Sequence, residues 1–192
     1  MEALLVSAGV VALAEIGDKT QLLAFVLAAR FKKPLPIILG ILTATVINHG
    51  LAGALGAWIT SAVNPGVLRW VLGVSFIGMA VWTLIPDKID EKNVATTGKS
   101  GVFGATLIAF FLAEMGDKTQ IATVAMAAHY GAPLLVVIGT TLGMLIADVP
   151  AVFLGKKFAS KIPMKLVHTI AAIIFAALGI VTLLGSGSVF KL

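Results

Sequence analysis

Long apolar runs dominate the chain, and short polar segments separate them. Six runs are each long enough to cross a bilayer as a helix, which needs about 20 mostly apolar residues. The one long hydrophilic stretch, 87–100, leaves three runs on each side. The pattern predicts an all-α integral membrane protein in which a cytoplasmic linker, 87–100, joins two three-helix units, 1–86 and 101–192. The predicted transmembrane helices lie at 3–29, 36–63, 67–86, 102–128, 133–158 and 164–185.

The two units carry the same acidic motif. Residues 14–21, Ala-Glu-Ile-Gly-Asp-Lys-Thr-Gln, reappear 99 residues later at 113–120 with methionine in place of isoleucine. The same offset relates Pro34 to Pro133 and Gly40 to Gly139. Because each unit has an odd number of helices, the second copy must enter the membrane from the opposite side. The sequence therefore predicts two inverted repeats.

Basic residues in the loops predict the orientation of these helices. One side carries only Arg69 and Lys191. The positive-inside rule places the richer side in the cytoplasm and both termini outside it. The ten basic residues of that richer side are Arg30, Lys32, Lys33, Lys88, Lys92, Lys99, Lys156, Lys157, Lys161 and Lys165.

Composition narrows the class of protein. The chain is 59% hydrophobic and 12% charged, whereas soluble domains carry about 25% charged residues, so a water-soluble fold is excluded. No cysteine is present, so a metal ligand must be oxygen or histidine nitrogen. The net charge of +5 is spread over short loops rather than a basic stripe, so no nucleic-acid partner is expected.

Four carboxylates lie inside apolar runs, and burying each one at the bilayer centre costs about 2.5–3.5 kcal/mol. On a continuous helix the two acids of each motif would point the same way, one turn apart. Inverted symmetry would bring both motifs together near the midplane, where they would form a cation site. Oxygen ligands suit magnesium, calcium or manganese. The four predicted ligands are Glu15, Asp18, Glu114 and Asp117.

The neighbouring residues of each motif leave two alternatives open. Lys19 and Lys118 follow the glutamates by four residues, so they could neutralise them and merely hold helices together. In a transport site the same lysines would compensate the charge when no cation is bound. Gly17 and Gly116 either let two helices approach closely or break the helix and free backbone carbonyls.

Other polar residues inside the apolar runs are secondary candidates for the metal or proton site. Each could instead form a hydrogen bond between helices. Asp148 is an intramembrane acid and therefore a functional candidate, and its repeat equivalent is His49. His129 and His168 are expected at the membrane interface and are assigned no role. The secondary candidates are Thr20, Thr119, Gln21, Gln120, Asn48 and Asp148.

These motifs resemble the signature of the Gdt-type cation/proton exchangers, a family that includes the MneA-type manganese exporters of bacteria. The signature E-x-G-D-[KR]-[TS] stands here at 15–20 and 114–119 without departure, and the similarity covers essentially the whole chain. The resemblance implies export of Mn²⁺ from the cytoplasm in exchange for protons, with Ca²⁺ also handled by eukaryotic relatives. It also implies that the acids of both motifs form the cation site, and it favours a prokaryotic inner membrane.

The expected mechanism is alternating access, in which the two repeats rock about a shared site. The partners are then the lipid bilayer, the transported cation and protons, with no resident cofactor. The alternatives are a Ca²⁺/H⁺ exchanger of the same architecture, an organic-cation exporter, a cation channel and an intramembrane hydrolase. Duplicated acids favour a symmetric ion site over an acid/base pair, so no enzyme is expected. The sequence indicates no oligomeric state.

Overall fold

The computed structural model describes residues 1–85, 101–154 and 164–185. The described residues form helices and no strands. The predicted linker 87–100 and the loop lysines at 88, 92, 99, 156, 157 and 161 lie outside this range. The helices are α1 (Glu2–Glu15), α2 (Lys19–Phe31), α3 (Pro34–Ala62), α4 (Pro65–Thr83), α5 (Gly101–Glu114), α6 (Lys118–Tyr130), α7 (Pro133–Leu154) and α8 (Met164–Leu184).

Four of these helices, α3, α4, α7 and α8, are long and apolar enough to cross a membrane. The remaining helices have 13 or 14 residues each, about 20 Å at 1.5 Å per residue, which is shorter than the bilayer core. They occur as two consecutive pairs, α1 with α2 and α5 with α6. The prediction of one continuous helix for the first run and one for the fourth is therefore wrong, because each is interrupted inside the acidic motif.

Proline and asparagine set several helix starts. Pro34 and Pro65 occupy the first turn of α3 and α4, where the missing N–H costs no hydrogen bond. Asn64 caps α4 by accepting a hydrogen bond from the Gly66 amide at 2.9 Å, which satisfies one of the orphan donors at the helix start.

The first helix of each unit packs on a long helix of the other unit, α1 on α7 and α5 on α3. Small residues permit the approach. A Cβ atom on Gly139 would lie 2.5 Å from the Leu4 carbonyl oxygen and 3.0 Å from the Ser7 Cβ. One on Gly40 would lie 3.0 Å from the carbonyl oxygen of residue 103 and 2.7 Å from the Cβ of residue 106. The two contacts are related by the 99-residue offset, so the duplicated sequence forms duplicated packing.

Large apolar side chains cover the outside of the helix assembly, whereas most of the polar side chains within the helices face inward. This inversion is typical of a protein surrounded by lipid. Exposed examples include Leu51, Trp58, Val74, Phe153 and Ile173.

We expect Gly139→Ala to destabilise the protein by about 1–3 kcal/mol, because the added methyl overpacks the contact between α1 and α7. Gly78→Ala is the matched control, since nothing lies within 4 Å of its Cβ position on α4 and alanine favours a helix. Thermal unfolding in detergent measures both. Equal melting temperatures for the two variants would contradict the close approach of α1 to α7.

Candidate cation site

Each acidic motif lies at a helix break. Glu15 is the last residue of α1, and Asp18 precedes the first residue of α2. Gly17 has a φ of 86° and its counterpart Gly116 has a φ of 76°, which is the left-handed region that favours glycine. Of the two roles considered for these glycines, the structure shows the helix break. The expectation that both acids of a motif lie one turn apart on a continuous helix is therefore wrong.

The break places helix ends of opposite polarity at the acids. Asp18 and Asp117 are the N-cap residues of α2 and α6, where the partial positive charge of a helix start stabilises a carboxylate. The preceding helices, α1 and α5, present their C-terminal carbonyls to the same region. Broken membrane helices bind ions with such ends.

Three of the four predicted acids come together. One carboxylate oxygen from each of Glu15, Glu114 and Asp117 lies within 4.8 Å of the other two, and all three residues are buried. The group therefore draws on both motifs. Asp18 is also buried, but a lysine holds it, and it is not one of these three.

A threonine orients each glutamate. The Thr20 hydroxyl donates to Glu15 Oε2 at 2.5 Å, and the Thr119 hydroxyl donates to Glu114 Oε2 at 3.1 Å. The other oxygen of each glutamate, Oε1, is buried and has no hydrogen-bond partner among the described residues. Because a buried carboxylate oxygen is costly to leave unpaired, these two oxygens are suited to a cation.

The two lysines pair across the repeats. Lys19 Nζ lies 2.7 Å from Asp117 Oδ1, and Lys118 Nζ lies 2.6 Å from Asp18 Oδ1. The alternative in which Lys19 neutralises Glu15 within its own motif is wrong in this structure, because the break removes the helical spacing that it requires. The pairs differ in exposure: the side chain of Lys19 is 27% exposed and that of Lys118 is 3% exposed.

Gln21 bridges the break of its own motif to the other unit. Its Oε1 accepts a hydrogen bond from the Gly17 amide at 2.9 Å. Its Nε2 donates to the Ala147 carbonyl of α7 at 2.9 Å. Both ends of the amide are thereby used, which gives Gln21 a positioning contact on each side.

Gln120 forms the equivalent bridge with one difference. Its Oε1 accepts from the Gly116 amide at 2.7 Å, and its Nε2 lies 3.5 Å from Asn48 Oδ1. Residue 48 corresponds to residue 147 by the 99-residue offset, so a side chain replaces the backbone carbonyl here. Asn48 also donates to the Phe111 carbonyl at 3.2 Å, a hydrogen bond between helices.

Asp148 and His49 occupy equivalent positions beside these bridges. Both are fully buried, and neither carboxylate oxygen nor ring nitrogen has a hydrogen-bond partner in the described part of the chain. Asp148 lies near enough to Glu15 and Glu114 to interact electrostatically with both. Asp148 lies outside the group of three acids but contributes to the electrostatic field at that group.

His168, to which the sequence assigned no role, contacts the first helix break. Its Nε2 lies 2.9 Å from the carbonyl oxygen of Ile16, at the break of the first motif. His129 is not merely interfacial either, since its Nδ1 lies 3.3 Å from the Thr182 hydroxyl. The repeat offset could have drawn attention to His168, because it aligns with Arg69, a second polar residue in an apolar helix.

Two broken helices that meet at buried carboxylates, inside a shell of apolar helices, define a membrane protein with an internal site suited to cations. Comparison with known families is more specific. The family model described as "Divalent cation/proton antiporter GDT1" matches residues 3–91 and again residues 102–189. The chain belongs to this family, which is a family of transporters rather than enzymes.

Individual proteins with similar sequences support the same family assignment. The chain is 50% identical over 184 residues to a Vibrio cholerae protein named "Putative manganese exporter", covering 95% of this chain and 90% of the relative. It is 30% identical over 200 residues to "GDT1-like protein 3" of rice, covering 91% and 71% of the two chains. The Arabidopsis thaliana protein of that name is 28% identical, covering 91% and 68%. No solved structure matches the chain.

We expect Lys118→Met to destabilise the protein by about 3–5 kcal/mol, because it removes the buried ammonium group that pairs with Asp18. The double variant Lys118→Met/Asp18→Asn removes both charges and should recover most of that loss. Lys19→Met should cost less, since Lys19 is partly exposed. Thermal unfolding of Lys118→Met, Asp18→Asn and their double variant measures the coupling between positions 18 and 118. Additive effects at positions 18 and 118 would contradict the crossed pairing.

Proposed function

We propose that this protein is a secondary transporter that exports a divalent cation, Mn²⁺, from the cytoplasm in exchange for protons. One observation carries the proposal: carboxylates of both motifs converge, and Glu15 and Glu114 each keep one buried oxygen without a partner. A dication between them would satisfy both oxygens and offset their repulsion. Family membership supports the reaction class.

In this proposal Glu15, Glu114 and Asp117 hold the cation, and Asp18 completes the set. Lys19 and Lys118 act as tethered counter-ions that loosen their contacts with the aspartates when the dication enters but stay close enough to offset two of the four negative charges. Thr20 and Thr119 orient the glutamates, whereas Gln21, Gln120 and Asn48 hold the helix breaks in register. These assignments follow the hydrogen bonds described above.

The choice of Mn²⁺ rests on two supports. Carboxylate oxygens without any thiolate suit Mn²⁺, Ca²⁺ and Mg²⁺. The Vibrio cholerae relative carries manganese export in its name. Ca²⁺ exchange by the same site is the alternative, because the same ligand set accepts either ion.

The proposed architecture has six membrane crossings arranged as two inverted repeats, 1–86 and 101–192. Each broken pair, α1–α2 and α5–α6, makes one crossing, and the other four helices make one each. Contacts that recur at the 99-residue offset support the duplication. We place both termini outside the cytoplasm of a prokaryotic inner membrane, following the loop charges, and the repeats then alternate access to the site.

The net charge of the site explains why cation transport would be coupled to protons. Four carboxylates and two lysine ammonium groups leave two negative charges in the site. One dication or two protons neutralise that charge equally, so the site can carry either across the membrane but is costly to leave charged. Exchange of one cation for two protons is electrically neutral. Participation of Asp148 would add a third proton, and the voltage dependence of flux would then report it.

Reconstituted vesicles test the exchange. With an acidic lumen, we expect Mn²⁺ to accumulate inside as protons leave, and we expect uptake to fall when the gradient is collapsed. Acidifying the metal side should weaken binding, because protons compete with the metal for carboxylates. Parallel assays with Ca²⁺ and Mg²⁺ establish selectivity. Uptake that is indifferent to the pH gradient would contradict proton exchange.

Removing one carboxylate should strongly reduce transport without unfolding the protein. We expect Glu15→Gln and Glu114→Gln each to lower Mn²⁺ flux and affinity by at least about tenfold, since even residues that only support metal ligands contribute this much. Glu2→Gln, an acid at the exposed chain start, is the matched control. Near-normal flux in either glutamate variant, with an unchanged melting temperature, would remove that residue from the site.

A further inference from the structure

The last helix, α8, makes two polar contacts with the elements that form the site. Near its start, His168 Nε2 lies 2.9 Å from the Ile16 carbonyl oxygen. Near its end, the Thr182 hydroxyl lies 3.3 Å from His129 Nδ1 on α6. Ile16 is the C-cap of α1 and adjoins Glu15, so its carbonyl is one of those that a helix end leaves without an intrahelical donor. His168 therefore caps the break of the first motif.

The equivalent helix of the first unit, α4, makes neither contact. The residues that correspond to His168 and Thr182 are Arg69 and Thr83. Arg69 Nε and Thr83 Oγ1 are both buried and lack a hydrogen-bond partner within the described ranges. Their expected partners, by the same offset, are the Met115 carbonyl, which would accept from Arg69, and Arg30, which would donate to the Thr83 hydroxyl.

The second helix break, which lacks such a cap, is also more exposed than the first. Met115, which corresponds to Ile16, is 54% exposed, and its neighbour Gly116 is also exposed, whereas Ile16 and Gly17 are only partly exposed. The molecule is thus asymmetric: α8 covers the first break, and the second break is uncovered. On α4, Arg69 lies at the position that corresponds to His168, where it can donate a hydrogen bond to the second break.

We propose that α8 and α4 alternately cap the helix break of the opposite unit, with His168 and Arg69 as the positioning residues. In the conformation described here His168 holds the Ile16 carbonyl; in the other access state that bond opens and Arg69 binds the Met115 carbonyl. This inference rests on the alternating access of the proposed function. Because the two bonds are of one kind and are exchanged, the two states stay close in energy and a transported ion can shift the balance.

Hydrogen–deuterium exchange of the purified full-length protein tests whether the two caps alternate. His168→Leu should raise amide exchange in the segment 12–22 about threefold to tenfold, the effect of losing one hydrogen bond, and should lower it in 111–121. Arg69→Leu should lower exchange in 12–22, because it disfavours the state in which the first break opens. His168→Gln and Arg69→Gln retain a side-chain N–H donor and should resemble the wild type.

Two controls separate this effect from general loosening. Thr169→Val alters the neighbouring residue of α8, whose hydroxyl bonds only to the Lys165 carbonyl, and should change neither segment. The double variant His168→Leu/Arg69→Leu loses both caps and should return 12–22 toward the wild-type balance. Should a leucine variant fail to fold, the glutamine pair and Arg30→Met still report on both segments. Arg30→Met removes the donor expected for Thr83 and should lower exchange in 12–22.

Three results would overturn the proposal. The first is increased exchange at both motifs in His168→Leu. The second is a His168→Gln variant that behaves like His168→Leu. The third is increased exchange at 12–22 in Arg69→Leu or Arg30→Met. The measurement needs no transport activity. If amide exchange shifts in opposite directions at 12–22 and 111–121 but no Mn²⁺ flux is found, the alternation of the two caps stands and the proposed transport is rejected. If Mn²⁺ flux is found without these opposite shifts, the transport stands and the alternation of caps is rejected.

Discussion

The cost of burying carboxylates constrains everything else in this molecule. Glu15, Asp18, Glu114 and Asp117 are all buried among helices that face lipid, where an uncompensated charge is expensive. Two lysines offset half of that charge, and each does so across the boundary between the units. The ion pairs therefore join the two units at the site itself. The remaining two charges favour binding of either a dication or protons.

The helix breaks make this arrangement possible. A continuous helix would point its acid pair and lysine along its own surface, and the motif would neutralise itself. The left-handed conformation at Gly17 and Gly116 instead turns each aspartate into a helix cap and sends each lysine to the opposite unit. The glutamines then satisfy the glycine amides that the break exposes. Specific hydrogen bonds thus hold the two helix breaks in place, and loss of these few bonds would let the breaks change conformation.

The sequence predicted the membrane class and the duplication, because these depend on composition and on the 99-residue offset. It also predicted that four acids converge, because buried charge is costly, and three of the four lie together. It left open whether Gly17 breaks the helix or lets two helices pack closely, since a glycine between the two acids of the motif fits both. Lys19 was placed with Glu15 in one alternative because spacing along one helix is visible in a sequence and a partner in another unit is not. His168 was missed for the same reason: its acceptor is a backbone carbonyl, 152 residues away.

In the proposed function, one cation is held jointly by acids of both motifs. Diffraction from crystals grown with Mn²⁺, collected at a wavelength where manganese scatters anomalously, locates that ion directly. We expect one strong anomalous peak between Glu15, Glu114 and Asp117, within coordination distance of oxygens from both units. A peak bound by one motif alone, or a site still filled by the two lysine–aspartate pairs with manganese elsewhere, would contradict it.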